Sequence, residues 1–228
     1  MFWSESSKGG SVEKGMMVNR RELGLLALGL VTVPSATRAA PASARFRIFR
    51  DGREVGFHRV TVNRVGDSMT AKTEVEVVVR LLGVAIYRLR HDALEEWQGE
   101  MLRSARERSD EQGRVLNGVV RSVPGGLEAT SEVGSWRYPP NAAPLSWWRE
   151  ESLGRPLFDG LTGRPVRGPA VREVLAGGQV RWKVPSEPEQ GALPGVFGGE
   201  ALYAATGGAW VGFSARDEDG SPIRYAPG

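Results

Sequence analysis

Glycine punctuation constrains this chain more than any other feature. Gly52, Gly66, Gly83, Gly99, Gly113 and Gly126 recur at intervals of 13 to 17 residues, and each interval holds enough residues for one strand. Between them the side chains alternate. Arg45-Phe46-Arg47-Ile48-Phe49 switches between polar and apolar residues, and Val75, Val77 and Val79 share one face with Glu74 and Glu76 opposite. Period-2 alternation marks a half-buried antiparallel sheet, since successive side chains point to opposite faces. Asp51-Gly52, Gly66-Asp67, Pro124-Gly125-Gly126 and Asp219-Gly220 supply the turn residues. Glycine enters the positive-φ region that tight hairpins demand without steric cost. The expectation is a mainly β domain over residues 45–228, an antiparallel meander with further strands near 179–184, 201–205 and 209–215.

Two stretches depart from this pattern. His91 to Arg108 contains good helix formers, and Leu94, Trp97, Met101, Leu102 and Ala105 lie close to helical spacing, with Gly99 in the middle. As a strand, the same stretch puts Tyr87, Leu89, His91, Ala93, Glu95 and Trp97 on one face, and periodicity leaves the two readings balanced. Pro139-Pro140-Asn141-Ala142-Ala143-Pro144 reads as a loop. Ser146 then stands as a plausible N-cap for one short helix near residues 146–153, through Trp147, Trp148 and Leu153.

The first 44 residues have a different character. Asn19-Arg20-Arg21-Glu22-Leu23-Gly24-Leu25 has the form of a twin-arginine export motif, followed by an apolar run from Leu25 to Pro34. About ten residues suffice for a signal-peptide core and fall short of a bilayer of about 30 Å. Small residues then gather, and Ala42-Ser43-Ala44 fits the A-x-A cleavage rule, with a cut after Ala39 as the other option. Residues 1–44 are therefore expected to be a signal peptide, with 1–15 as an upstream extension before Met16. The expected destination is the periplasm, the expected first partner is the export machinery, and no transmembrane anchor is expected once the leader is gone.

Charge narrows the partners. The formal net charge is +3, and residues 1–44 carry five basic residues and three acidic ones, so the remainder is almost neutral. Phosphate backbones select a concentrated positive excess, which gives no reason to expect a nucleic-acid partner. The chain has no cysteine, which removes disulfides, thiolate metal sites and thiol nucleophiles. It also has no G-x-S-x-G elbow, Walker loop, G-x-G-x-x-G fingerprint or H-E-x-x-H pair. No cofactor is indicated.

Both histidines of the chain, His58 and His91, alternate with apolar residues. If their strands line one concave surface, His58, His91 and Glu95 converge as acid/base candidates, because imidazole titrates near neutral pH. The commoner arrangement is a pair of hydrogen-bonded core histidines. A shared metal ion is disfavoured, since four residues along a strand separate His91 from Glu95 by about 13 Å. Tyr87, Trp97, Trp147 and Trp148 are the candidate ligand contacts, with indoles as large apolar surfaces that tolerate a wet edge.

The segments FRDGREVGFHRV, LLGVAIYRLRHDALEEWQGEML, PLSWW and LTGRPV resemble an exported bacterial family known as domain of unknown function 6134. The resemblance implies a twisted sheet curled into a partial barrel, with an architecture like that of periplasmic lipoprotein carriers, and it favours a strand over Tyr87 to Trp97. The chain departs from the family pattern where Asp159-Gly160-Leu161 replaces a more polar run. With the apolar strand faces and the tryptophans, the carrier-like architecture leads to an expected function: binding a lipid or other apolar or amphipathic small molecule without turnover. The alternatives are a hydrolase or isomerase using a His/Glu pair, and a structural envelope protein that binds a partner.

Overall fold

The computed structural model describes residues 43–185, 198–217 and 219–228. Arg20, Arg21, Ala42 and the other residues up to 42 lie outside them, while Ser43 and Ala44 lie within. Eight strands form an antiparallel meander: β1 (Ala44–Arg50), β2 (Arg53–Val65), β3 (Ser68–Leu81), β4 (Val84–Gln98), β5 (Met101–Glu111), β6 (Arg114–Val123), β7 (Gly126–Ser131) and β8 (Gly134–Tyr138). A short parallel pair follows, β9 (Ala143–Pro144) with β10 (Leu157–Phe158). The chain then returns to the sheet as β11 (Val171–Val174), β12 (Val180–Val184), β13 (Gly199–Tyr203), β14 (Trp210–Arg216) and β15 (Pro222–Pro227).

The large sheet has 13 strands in the order β11-β12-β13-β14-β15-β1-β2-β3-β4-β5-β6-β7-β8. It curls without closing, because β8 and β11 form its two ends and do not pair. Residues 91–98 belong to β4, paired with β3 and β5 throughout. The turn at Gly99 decides against the helix. Gly99 has φ +57°, and its N–H is donated to Asp67 O at 2.7 Å, which closes the lower end of the sheet.

What fills the curl is the segment between β8 and β11. Residues 142–162 are mostly buried, with Gly154 and Pro156 exposed, although they carry little regular structure. The short helix expected near 146–153 is a three-residue 3-10 turn, Glu150–Ser152, with Ser152 and Leu153 donating to Arg149 O and Glu150 O. The backbone at Arg149 is extended, with φ −120° and ψ 95° and no side-chain cap, so the turn does not continue back to Ser146, whose hydroxyl caps nothing; the Trp147 carbonyl accepts the Tyr203 hydroxyl at 2.7 Å.

This plug touches both wings of the sheet. On one side the Trp148 indole donates to Glu95 on β4 and packs edge-on against Trp97 at 6.5 Å; Tyr138 on β8 donates to Gly163 O. On the other, Trp147 packs against Phe213 at 4.9 Å, and Trp182 donates to Glu150 at 3.3 Å. The sheet makes room for it with small inward residues, including Ala71, Ala105, Gly118 and Ala129. A Cβ on Gly118 would stand 2.1 Å from Gly160 O and 2.6 Å from Leu161 O, so only glycine permits this approach.

Candidate functional site

Above the plug the curl stays open and encloses a cavity of about 490 Å³. Strand register explains what lines it. Phe46, His58, Val75, His91 and Ser109 form one row across β1 to β5, and Val60, Thr73, Ala93, Glu107 and Gly118 form the next. Val62, Ala71, Glu95, Ala105 and Val120 make a third. Residues in one row share a face of the sheet, so the histidines and carboxyls of these rows all point inward. Upward from the rows the walls become aliphatic, with Val77, Val79, Ile86, Tyr87 and Leu89 facing Phe213 and Tyr225.

The structure therefore brings His58, His91 and Glu95 to one cavity, in three different settings. His58 is buried against the edges of Trp210 at 5.0 Å and Tyr225 at 5.5 Å, and its Nδ1 has no hydrogen-bond partner. Burial, reinforced by His91, lowers its pKa to about 3, so it is a neutral imidazole. Glu95 is fully enclosed and accepts from two indoles, Trp97 at 2.8 Å and Trp148 at 3.1 Å. Burial raises its pKa against the opposing pull of Trp148, Trp97 and Ser146. With both oxygens engaged, Glu95 anchors the plug and does not face a histidine.

His91 instead meets a residue that the alternation did not single out. Its Nε2 lies 3.7 Å from Glu107 Oε2, which places Glu107 diagonally across the β4–β5 ladder, beyond hydrogen-bond range. Burial raises the Glu107 pKa well above the usual 4.5, and the charges of Asp159 and Glu95 push in the same direction. Burial lowers His91, partly offset by Asp159 and Asp92. Asp159 sits in the plug, where its Oδ1 accepts the Leu161 and Thr162 N–H groups. At Gly160 a Cβ would lie 1.8 Å from Glu107 Oε1, so the Asp159–Leu161 turn presses directly on this carboxyl. The polar floor is thus held toward its uncharged forms.

Of the four aromatic candidates, Tyr87, Trp147 and Trp148 line the cavity, and the Tyr87 hydroxyl donates to Glu111 at 2.7 Å near the mouth. Trp97 does not. It is buried behind Glu95 with the Arg149 guanidinium 4.3 Å above its ring, a cation–π contact inside the core. Across the mouth, Arg50 pairs with Asp217 at 2.9 Å and with Asp219. Among the described residues no group of three histidine or carboxylate side chains is arranged to hold a metal ion.

A signal for Glu107 exists in retrospect. Ala105, Glu107 and Ser109 alternate with Arg106 and Arg108, so the arginines mark the outer face and leave Glu107 inside. Both faces are polar, and hydropathy alone does not separate them.

No curated protein and no solved structure matches this chain. One family model does, over residues 46–228, and the chain accordingly belongs to the family described as a domain of unknown function, DUF6134.

Proposed function

We propose that this protein is an exported carrier or binding protein that holds an apolar or amphipathic small molecule in the cavity above the plug. The observation that supports this most is the cavity itself: about 490 Å³, aliphatic and aromatic walls, and a floor of His91, Ser109 and Glu107 held toward neutrality. Small-molecule sites of this size class combine apolar walls with a few convergent polar groups. The walls suit an acyl chain or ring system, and the floor suits an uncharged polar head that exchanges hydrogen bonds with imidazole and carboxylic acid. A His/Glu catalytic pair has less support, because Glu95 is committed to two indoles and His91 lacks a hydrogen bond to Glu107.

Export remains part of the reading, through the leader at residues 1–44. Ser43 Oγ accepts the Val62 N–H at 2.9 Å, and Ala44 pairs with Val60. A cut after Ala39 would keep both in the sheet, which favours that site over a cut after Ala44.

The test is a titration with a fluorescent fatty acid, beside a Val77→Trp variant whose indole fills the upper cavity. Saturable binding by the parent chain and a loss of roughly tenfold or more in Val77→Trp, with near-UV circular dichroism unchanged, is the expected result. Equal binding by both proteins, or by the denatured chain, overturns the reading.

A further inference from the structure

The chain builds one hairpin design three times. Asp51-Gly52, Leu82-Gly83 and Gln112-Gly113 are two-residue turns with both residues at positive φ, 50° and 75°, 50° and 86°, 52° and 83°. Alternate turns of a meander fall on the same rim, so all three stand at the cavity end. Two of them carry a polar first residue, as such turns ordinarily do. The third carries a leucine, a bulky side chain for which this backbone conformation is strained, and Leu82 is 96% exposed. Strain and water exposure together point to something that covers this leucine.

Its surroundings say what. Leu81, Val84 and Ile86 are each more than half exposed beside it. The ladder between β2 and β3 ends at Gly56 and Val77, and that between β4 and β5 ends at Leu89 and Glu111. Beyond those pairs β3 and β4 continue as a two-stranded ribbon, steadied at its base by the Gln112 side chain, which donates to Ile86 O and accepts from Arg88 N. Ile86 is the extra residue of a bulge between Tyr87 and Ala85 and is aimed into the cavity mouth. The ribbon's inner face is thus continuous with the cavity wall, and its end is a finger about 15 Å long by strand geometry.

Charge selects the covering surface. Residues 77–90 contain Arg80, Arg88 and Arg90 and no carboxylate. Arg90 pairs with Asp92 at 3.1 Å, while Arg80 and Arg88 form no ion pair among the described residues. A tip of branched aliphatic residues backed by arginines matches the two layers of a lipid surface, acyl chains below and anionic headgroups above. A protein contact of this size would ordinarily be anchored by aromatic residues at its centre, and the tip has none.

We infer that the β3–β4 hairpin is a membrane-docking finger, which inserts Leu81, Leu82 and Val84 into a bilayer carrying anionic lipids and sets the cavity mouth against it. The inference rests on the carrier reading for its purpose and on the finger's own geometry for its evidence. A docked finger would let a lipid-like ligand pass between bilayer and cavity along Ile86, Val79 and Val77.

The chain contains no cysteine, so Leu82→Cys and Asp51→Cys each create a single site for an environment-sensitive fluorophore on the full-length protein. The probe is a phosphatidylcholine vesicle with spin-labelled acyl chains, with and without phosphatidylglycerol. The expected result is quenching of the label at position 82 with phosphatidylglycerol present, little at position 51, and a loss of roughly tenfold or more in vesicle affinity when Arg80→Glu and Arg88→Glu are added. The apolar leader is common to all these chains, so the contrast between positions reads the finger alone. A label at 82 that stays in water on anionic vesicles, or is quenched no more than the label at 51, overturns the proposal. So does a label shielded by polyglutamate and not by vesicles, which would assign the tip to an acidic protein. Fatty-acid binding without vesicles separates the two readings: an inserted tip with an empty cavity keeps the finger and removes the carrier, and a loaded cavity with the tip in water does the reverse.

Discussion

The lower half of the curled sheet and the upper half are built from the same strands and solve opposite problems. Below, the inward positions are small, Ala71, Ala105, Gly118 and Ala129, and the chain spends residues 142–162 filling the space they leave. Above, the inward positions are large, Val75, Val77, Val79, Tyr87 and Leu89, and nothing among the described residues fills the space between them and Phe213. A sheet this wide cannot close on its own side chains. Small residues facing a plug yield a close-packed interior, and large residues facing no plug yield a lined cavity. Apolar side chains on a strand are therefore not equivalent evidence of a core.

The largest expected effect tests the filled half. Trp148→Ala removes the indole that joins the plug to Glu95 and is expected to cost about 3–5 kcal/mol in urea denaturation, as for other large buried aromatics. Val77→Ala on the cavity wall is expected to cost about 1 kcal/mol, because the side chain is only half buried and has few neighbours to lose. Comparable losses in the two variants would break the distinction between filled and open halves.

A second effect concerns pH and the boundary between the halves. Glu107 keeps its proton in the folded chain well above 4.5, so its contribution to stability is full below 4.5 and is lost as pH rises through the raised folded value. His58 works from the other side. Its pKa falls from 6.5 to about 3, so its contribution is present above 6.5 and is lost as pH falls from there toward 3. Glu107→Gln is neutral at every pH and should abolish the alkaline part of this profile, becoming more stable than the parent at pH 8. Thermal melts across pH 4 to 9 would check it, and an unchanged profile would place Glu107 in contact with water.

The smallest effect is on the finger. Leu82→Asn puts a residue that tolerates positive φ into the turn and should raise stability by about 0.5–1 kcal/mol. A stabilised variant would sharpen the contrast, because it would show a position where the chain forgoes stability at the open end. A destabilised one would mean that Leu82 packs against the ribbon.

Legibility follows the same division. The meander, its turns and the convergence of His58 with His91 could be read from alternation and glycine, which are local properties of consecutive residues. The plug could not. Pro139 to Pro144 reads as a loop and residues 146–153 as a short helix, and neither pattern shows that the segment is held inside by partners far away in sequence, such as Tyr203 for the Trp147 carbonyl and Trp182 for Glu150. The position of Trp97 outside the cavity lining has a related cause: alternation gives the face of a residue but not its height along the curl, and the height decides between plug and cavity. Glu107 escaped because its strand is polar on both sides.

The position of β1 has a kinetic consequence. It is the first strand of the described chain, yet it lies in the interior of the sheet, with β2 on one side and β15 on the other; Phe46 faces Pro227, and the Gly228 N–H is donated to Arg45 O at 3.0 Å. The five strands from β11 to β15 can join the other eight only through that last pairing. During synthesis one edge of β1 therefore waits for β15, and this pairing, which spans the greatest sequence separation in the sheet, is a slow and late event that cannot be completed before β15 has left the ribosome.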